Sequence, residues 1–148
     1  MKTIALRFAE NFSPKGGTIK AHEDVIREKG YVWYGKLGSV VGQDKRKIIL
    51  SAEEPRILLI QSGKAGRYWA FVNDIQSECP EPSAVPEYYR NEMEKFKTWF
   101  RVIRFEKAPA NIMSQCTVVS SGAELGHASH YSMSPYFFIE APEEEKRY

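Results

Sequence analysis

Two histidines three residues apart, in the segment HASH, could support catalysis or metal binding. His127 and His130 would lie on one face of a helix, and serines surround them in SSGAELGHASH. Zinc sites use imidazole nitrogens, and a serine next to a histidine can act as a nucleophile. No third metal ligand is evident at a suitable spacing, and the serines lack the nucleophile-elbow pattern. A small hydrolase or a metal-binding enzyme using these two histidines is one alternative function.

The segment SGKAGR, residues 62–67, is similar to a phosphate-binding loop but lacks its spacing. Such a loop ends in Gly-Lys-Ser or Gly-Lys-Thr and joins a strand to a helix. Here the segment lies between two apolar runs that are typical of strands, so a hairpin turn is predicted. We expect no cofactor and no bound metal.

Aromatic residues offer another kind of chemistry, because their flat rings stack on nucleobases. They make up 13% of this chain of 148 residues. The candidates are three tryptophans and three tyrosines: Trp33, Tyr34, Trp69, Tyr88, Tyr89 and Trp99. Aromatic residues in strands usually fill a core, but Tyr88 and Tyr89 follow a proline-rich stretch where less core is available.

Composition and cysteine usage favour a globular protein of the cytoplasm. The net charge is +2, and hydrophobic residues make up 43% of the chain. Cys79 and Cys116 match no metal or redox spacing and are expected to be reduced thiols. The first residues lack a signal-peptide pattern, and no apolar run is long enough to span a membrane. We expect no membrane contact.

The first elements that must position these residues are a strand and a helix. Residues 3–9 alternate as a strand, with Ile4, Leu6 and Phe8 on one face. After a Pro- and Gly-containing loop, Thr18 is predicted to cap a helix that ends at Gly30. The stretch GYVWYG then predicts a strand that carries Trp33 and Tyr34.

Strands dominate the rest of the chain. Residues 57–75 predict a hairpin, and RNEMEKFK predicts a short helix after the proline-rich loop. TWFRVIRFEKA alternates as a strand, with Trp99, Arg101, Ile103 and Phe105 on one face. The fold class predicted is α+β, a mixed β-sheet curled into a small barrel with one or two helices packed on it. Residues 1–141 form one domain, and 142–148 form a polar tail or the start of a linker.

The order of these elements resembles the YTH and EVE branch of the PUA-like fold. GYVWYG matches the family's Gly-Val-Trp-Ser strand, SGKAGRYWAFV its hairpin, TWFRVIRF a later strand and CTVVSSGAEL its closing turn. The resemblance runs from about Ile4 to Leu125. It departs from the family at Ser120, where an arginine that grips phosphate is expected, and at Tyr34, where a small residue is expected.

The resemblance implies that a modified base is held in an aromatic cage. Trp33 matches the first cage wall, and Tyr88 or Tyr89 falls where a loop supplies another. Asn11, after the first strand, falls near the residues that hydrogen-bond the base edge, and backbone groups near Gly35 are assigned the same role. Lys15, Lys36, Lys45 and Arg46 are the candidate phosphate contacts.

The function expected is non-catalytic binding of nucleic acid with a modified base, methylation being the expected modification, flipped into the cage. In bacteria similar domains are specificity modules of modification-dependent restriction systems, which favours DNA and places any nuclease or NTPase on a partner or another region. An RNA-binding PUA-like reader is an alternative. A protein-interaction module with an exposed aromatic groove is a third possibility.

Overall fold

The computed structural model describes residues 1–10 and 13–143. The strands are β1 (Lys2–Phe8), β2 (Val32–Lys36), β3 (Arg56–Gln61), β4 (Arg67–Gln76), β5 (Thr98–Lys107), β6 (Thr117–Val118) and β7 (Tyr136–Glu140). The helices are α1 (Thr18–Lys29), α2 (Gln43–Leu50), α3 (Ile112–Gln115) and α4 (Leu125–Tyr131). Two 3₁₀ helices, Pro82–Ala84 and Glu87–Lys95, lie between β4 and β5.

The seven strands form one mixed sheet in the order β2-β5-β4-β3-β1-β7-β6. Strands β1 and β3 are parallel, and all other neighbouring pairs are antiparallel. The hairpin predicted over residues 57–75 is present, with Leu58 opposite Trp69. The prediction of an α+β fold built on a curled mixed sheet is confirmed.

The core consists of three clusters. One lies on one face of the sheet, and the other two lie on the opposite face under different helices. The first core lies on the face of the sheet that α1 and α2 cover, and it includes Leu6, Tyr34 and Phe100. The second core lies on the other face under α3 and α4, around Trp69. The third core lies on that same face under the 3₁₀ helices and holds Trp33 and Trp99.

Helix α1 begins differently from the prediction. The residue before it is Gly17, and Thr18 makes no side-chain cap of its own helix. Instead, Glu10 from the loop after β1 accepts hydrogen bonds from the Thr18 backbone N–H at 2.9 Å and the Thr18 hydroxyl at 3.1 Å. A carboxylate here satisfies an unpaired N–H and interacts favourably with the helix dipole. The predicted C-terminus is confirmed, since Gly30 is left-handed with φ 87°.

Two local features differ from the sequence pattern. Helix α2 lies in a segment for which the sequence analysis predicted no element, and it forms because Ile49 and Leu50, together with Val41 before the helix, pack on the first core. Strand β5 does not keep Phe105 on the face of Trp99. The register shifts where β4 pairs with β5, leaving Asn73 and Ile103 without opposite residues, so Phe105 turns toward the first core.

No helix among the described residues combines the length and apolar character needed to cross a membrane. Strand β7 ends at Glu140, and the backbone N–H of Ala141 donates to Met1 O at 2.7 Å. The boundary of the domain at residue 141 and the role of the tail remain predictions, and residues 144–148 lie outside the described part of the chain.

Candidate nucleic-acid interface

Five of the six predicted cage residues gather around the edge strand β2. We use "aromatic cluster" for Trp33, Tyr34, Tyr88, Tyr89, Phe96 and Trp99. Trp33 and Trp99 lie on the face of the sheet that the 3₁₀ helices cover, whereas Tyr34 lies on the opposite face beside α1. The residues Tyr88, Tyr89 and Phe96 come from the second 3₁₀ helix and its end. The structure therefore brings together aromatic residues that are far apart in sequence.

Tyr89 joins the two sides of this cluster. Its ring stacks on Phe96 with centroids 4.5 Å apart, and meets Trp99 edge-on at 6.0 Å. It also meets Tyr88 at 4.9 Å and His22 of α1 at 5.2 Å, both edge-on. Stacked and edge-to-face pairs of this kind stabilise beyond their buried area. The cluster is thus a packed unit that rests on Tyr89.

Gly35 makes this packing possible, because it has no side chain. A Cβ at position 35 would lie 2.6 Å from Cγ of Phe96, too close for any side chain. The Tyr89 hydroxyl also forms a hydrogen bond with the Gly35 backbone. The position therefore admits the rings of the 3₁₀ helix to the backbone of β2. A role in hydrogen bonding to a base edge stays a prediction.

A fully buried histidine lies against the aromatic cluster. His22 is 0% exposed, and its ring is 5.0 Å from Tyr34. Nδ1 lies 2.8 Å from the Thr18 carbonyl, which can only accept, so this nitrogen carries the proton. Nε2 has no hydrogen-bond partner among the described residues. Burial lowers the pKa of His22 to about 4, so the ring is neutral at pH 7.

The tyrosine hydroxyls of the cluster are neutral as well. Burial raises the pKa of Tyr34, Tyr88 and Tyr89 above the ordinary value for tyrosine. Together with neutral His22, they give an enclosed environment that holds polar groups without net charge. An uncharged, partly polar aromatic site suits a neutral nucleobase better than an ion.

Glu81 closes the cluster on the solvent side. Its Oε1 accepts hydrogen bonds from the Tyr31 hydroxyl at 2.5 Å and from Trp33 Nε1 at 3.2 Å. The hydrogen bond from Tyr31 is the main reason that the pKa of Glu81 is lowered. The guanidinium of Arg101 covers the other side of the Tyr31 ring at 3.9 Å. These contacts fasten the loop before the first 3₁₀ helix over Trp33.

An open cleft lies beside the cluster, between α1 and the second 3₁₀ helix. It has a volume of about 680 Å³. Lys15, Lys20, Val25, Pro86 and Tyr88 are among its lining residues. Tyr88 is half-buried and is the one member of the aromatic cluster that lines this cleft. The cleft therefore connects solvent to the rings through Tyr88.

The loop after β1 forms a neighbouring depression of about 460 Å³ around Glu10, Lys15 and Tyr68. Burial alone would raise the pKa of Glu10, but hydrogen bonds from Ser13, Thr18 and Gln61 together lower it. Glu10 is thus an ionised anchor that fixes this loop to α1 and β3. Asn11, the predicted base-edge residue, lies outside the described residues.

The structure does not bring Trp69 into the cluster. Trp69 is 0% exposed in the second core, where the guanidinium of Arg56 lies 4.8 Å from its ring centroid. It lies on the same face of the sheet as Trp33, but α3 and α4 cover it instead of the 3₁₀ helices. The alternation of a strand predicts the face of a residue but not the element that covers it.

The predicted phosphate contacts are not equivalent. Lys36 was expected at the surface, but it is 5% exposed, and its Nζ donates to the carbonyls of Leu37 and Ser39 at 3.0 and 2.7 Å. The reason is that β2 alternates, so Lys36 points to the same side as Tyr34. Lys15 is exposed in the loop after β1, which leaves it accessible.

Lys45 and Arg46 are half-buried on α2, away from the cleft lining. Lys45 Nζ lies over the rings of Tyr136 and Phe138 at 5.6 and 5.5 Å, and Arg46 Nε donates to the Val41 carbonyl at 2.7 Å. Their roles as phosphate contacts remain predictions.

The two histidines of HASH lie on α4, and both pack on Tyr131. The ring centroids of His127 and His130 are 4.7 and 4.6 Å from that of Tyr131. Among the described residues, no group of three or more histidines, cysteines or acids is placed to bind a metal ion. Helix α4 could therefore supply a metal ion with two imidazole ligands at most.

Sequence reasoning missed His22, Glu81 and Phe96. His22 has a weak local signal, because Thr18 precedes it by one helical turn and its carbonyl faces the ring. Glu81 contacts residues 48 and 50 positions away, so no local pattern could identify it. Phe96 fits only because position 35 is glycine, a pairing that needs three-dimensional proximity.

Comparison with known proteins gives a match at the level of the family. No significant match is found among curated proteins or solved structures. The family model described as Pua-like matches residues 4–135, which is most of the chain. Its matched range contains most of β1 and all of β2 to β6, together with the aromatic cluster and the cleft. The chain therefore belongs to the Pua-like family.

Proposed function

We propose that this protein binds nucleic acid that carries a modified base, and that the base enters the cleft beside α1 and stacks within the aromatic cluster. The observation that carries the proposal is the convergence of the loop after β1, α1, β2 and the 3₁₀ helix on one set of uncharged aromatic side chains. Membership in the Pua-like family supports nucleic-acid binding at the family level. Methylation is the modification that we expect.

Entry of a base requires local rearrangement. The rings of Tyr88, Tyr89 and Phe96 pack on one another, and Tyr88 stands between the cleft and His22. We infer that Tyr88 moves aside with the second 3₁₀ helix, which has an internal kink at Glu92 (φ −133°). The base then takes the position of the tyrosine ring, so one stacking contact replaces another.

Aromatic stacking alone gives little selectivity. A stacked base gains about 1–3 kcal/mol, while extracting it from a duplex costs a few kcal/mol. One buried methyl group adds only about 0.8 kcal/mol. Strong discrimination comes instead from polar groups that are left unpaired when the wrong base binds. The site therefore needs at least one buried donor or acceptor that has no hydrogen-bond partner within the protein.

His22 supplies such a group. Because Nδ1 donates to Thr18, Nε2 presents an acceptor lone pair toward the rings. We infer that Nε2 accepts a hydrogen bond from an N–H of the bound base. A base that offers a carbonyl oxygen at this point leaves both acceptors unpaired, and the resulting penalty favours the base with the amino group.

Phosphate groups next to the base would be held by cations. Lys15 and Lys20 are exposed and line the cleft, where Lys20 is paired with Asp24 at 3.0 Å, and the half-buried Lys45 and Arg46 are the further candidates. Each phosphate contact releases counterions, so binding weakens as salt rises. We favour DNA over RNA and a non-catalytic role as the specificity module of a modification-dependent restriction system. A nuclease or an NTPase would then reside on a partner or on another region.

The experiment is a binding screen by fluorescence anisotropy with matched oligonucleotides. The probes carry 5-methylcytosine, 5-hydroxymethylcytosine, N4-methylcytosine, N6-methyladenine or no modification, each in DNA and RNA and in single-stranded and duplex form. The variants are Trp33→Ala, Tyr88→Ala and His22→Gln. We expect one modified probe to bind better than its plain counterpart, and all three variants to reduce that preference.

Trp69→Phe is the matched control, because it changes a buried tryptophan outside the aromatic cluster. It should keep the preference for the modified probe as long as the protein is folded. Equal affinity of the wild type for modified and plain oligonucleotides would refute the proposal. A preference seen only with RNA probes would retain the modified-base site and replace DNA by RNA.

A further inference from the structure

A groove between the β3–β4 turn and α4 carries positive charge that the proposed base site does not use. Its volume is about 710 Å³. We use "basic groove" for this depression and the residues that give it its polar character: Arg7, Gln61, Lys64, Arg67, Ser129 and His130. No aspartate or glutamate is among its lining residues, although the carboxylate of Glu124 approaches Gly126, which also lines it.

Two arginines of the basic groove are held in place by backbone carbonyls. Arg7 projects from β1 and donates to the carbonyls of Ser129 and Ser132 at the end of α4. Arg67 begins β4 and donates to the carbonyls of Lys64 and Gly66, both at 2.9 Å. Neutral carbonyls orient these guanidinium groups without cancelling their charge, so a fixed positive potential remains in the groove.

Lys64 and His130 complete the groove as exposed side chains. Lys64 lies in the turn, and within the described part of the chain its ammonium has no carboxylate partner. Gly63 gives the turn its shape with a positive φ of 71°. A lysine held out on a tight turn over a basic depression is available for an anionic ligand.

An exposed aromatic ring stands next to the groove. Tyr131 is 74% exposed, and its ring is 4.6 Å from that of His130, which lines the groove. Met133, two residues later, is 93% exposed. Large side chains with this exposure contribute little buried apolar surface to the stability of the protein. A cationic groove flanked by an exposed aromatic ring is the arrangement that binds single-stranded nucleic acid.

The basic groove is continuous with the depression at the loop after β1. Gln61 and Lys64 line both, and the depression reaches Lys15, Gly17 and Ile19 at the start of α1. Lys15 also lines the cleft of the proposed base site. One surface path therefore runs from the aromatic cluster through Lys15 and Lys64 to Tyr131.

We propose that the basic groove holds a single-stranded segment of the nucleic acid adjacent to the modified base, with Lys64, Arg67 and His130 on its phosphates and Tyr131 stacked on a base. This rests on the proposed function, because the segment enters the groove from the base site. The ligand is a phosphodiester chain with unpaired bases, from either DNA or RNA.

The test uses the full chain with labelled oligonucleotides that carry the best modified base or its plain counterpart, as single strands of DNA or RNA and as duplexes. The variants are Lys64→Gln and Tyr131→Ala. Tyr131→Phe keeps the ring, and Lys29→Gln removes one exposed lysine at the far end of α1 as a matched charge control. All three positions are exposed, and circular dichroism checks that each variant is folded.

We expect Lys64→Gln to weaken single-strand binding and to reduce the slope of log K against log salt by about 0.7, the value for one lost phosphate contact. Tyr131→Ala should weaken it by about 5- to 150-fold, as for one lost base stack. Tyr131→Phe and Lys29→Gln should resemble the wild type. Glu124→Gln removes the carboxylate that approaches Gly126 at the basic groove, so this variant should bind single strands more tightly than the wild type. The ratio of affinities for modified and plain probes should not change, because the modification is read elsewhere.

The outcomes separate this inference from the proposed function. If the wild type prefers a modified base and Lys64→Gln and Tyr131→Ala bind like it, the groove proposal is overturned and the base site stands. If the wild type shows no preference but both variants weaken single-strand binding, the base site fails and the groove is supported. Losses confined to duplex probes, or no binding of any probe, overturn the groove proposal.

Discussion

Trp69 and Trp99 are both fully buried on the same face of one sheet, yet their surroundings differ. Trp69 lies among aliphatic residues such as Leu58, Ile112 and Leu125 under α3 and α4. Trp99 lies among aromatic rings that reach a buried histidine and an open cleft. Both indole N–H groups lack a hydrogen-bond partner among the described residues. Burial of a tryptophan is therefore no sign of a site, and the buried histidine and the open cleft near Trp99 make the difference.

The largest effect on stability is expected in the second core, around Trp69. Trp69→Ala should lower the free energy of unfolding by about 3–5 kcal/mol, because it leaves a cavity in a rigid core. Urea denaturation followed by circular dichroism measures the change. Trp69→Phe should cost less and leave nucleic-acid binding intact. Loss of the modified-base preference in folded Trp69→Phe would contradict the separation of the two regions.

The aromatic cluster should make the stability of the protein depend on pH, because buried His22 packs against it. Folded His22 has a pKa of about 4, whereas in the unfolded chain the ordinary value of 6.5 applies. Between these values the unfolded state binds more protons, so stability falls as the pH decreases. We expect a loss of roughly 2–3 kcal/mol between pH 7 and pH 4.5. Denaturation midpoints across this range measure it.

His22→Gln is the control for this pH dependence, because it removes the titrating ring. Its stability should be nearly constant from pH 7 to pH 5. Glu10 and Glu81 have lowered pKa values, so their contributions are lost as the pH falls from the ordinary carboxylate value toward the lowered one, below the range from pH 7 to pH 5. An unchanged decline in His22→Gln would show that another group causes it.

A third prediction tests how tightly the aromatic rings pack on β2. Gly35→Ala should destabilise the protein by about 1–3 kcal/mol, since its Cβ would meet the Phe96 ring. In a Phe96→Ala background the same change should cost much less, because the space is free. A double-mutant cycle in urea measures this coupling. Equal costs in both backgrounds would mean that Phe96 does not limit position 35.

The smallest effect expected is at the solvent side of the aromatic cluster. Glu81→Gln should change stability by less than about 1.5 kcal/mol, because Glu81 is exposed and the hydrogen bonds from Tyr31 and Trp33 lose only their charge assistance. The hydrogen bond to Glu81 raises the pKa of Tyr31, so the variant should lower it. Spectrophotometric titration of the phenol measures the shift. Tyr31→Phe identifies the signal, and an unchanged titration in Glu81→Gln would exclude the contact in solution.

Local patterns in the sequence predicted much of the fold. Alternation placed Ile4, Leu6 and Phe8 on one face of β1, and Gly30 ended α1 in a left-handed conformation. The hairpin of β3 and β4 followed from two apolar runs around a turn rich in glycine. These features depend on neighbouring residues, because strand alternation and positive φ at glycine are properties of short segments. The motif order also resembled the PUA-like fold, which is the level at which the comparison gives the family, and the YTH and EVE branch stays a prediction.

The sequence alone determined strands β1 to β5, the main helix, membership in the Pua-like family and the aromatic residues that are available. Tertiary structure decided which aromatic residues meet, since Trp69 and Trp33 have similar strand positions but are covered by different elements. It also decided that Lys36 is buried, that Glu10 caps α1 and that His22 faces Tyr34 and Tyr89. Such contacts join residues far apart in the chain, and their energies depend on the packing of several elements at once. No local pattern contains that information.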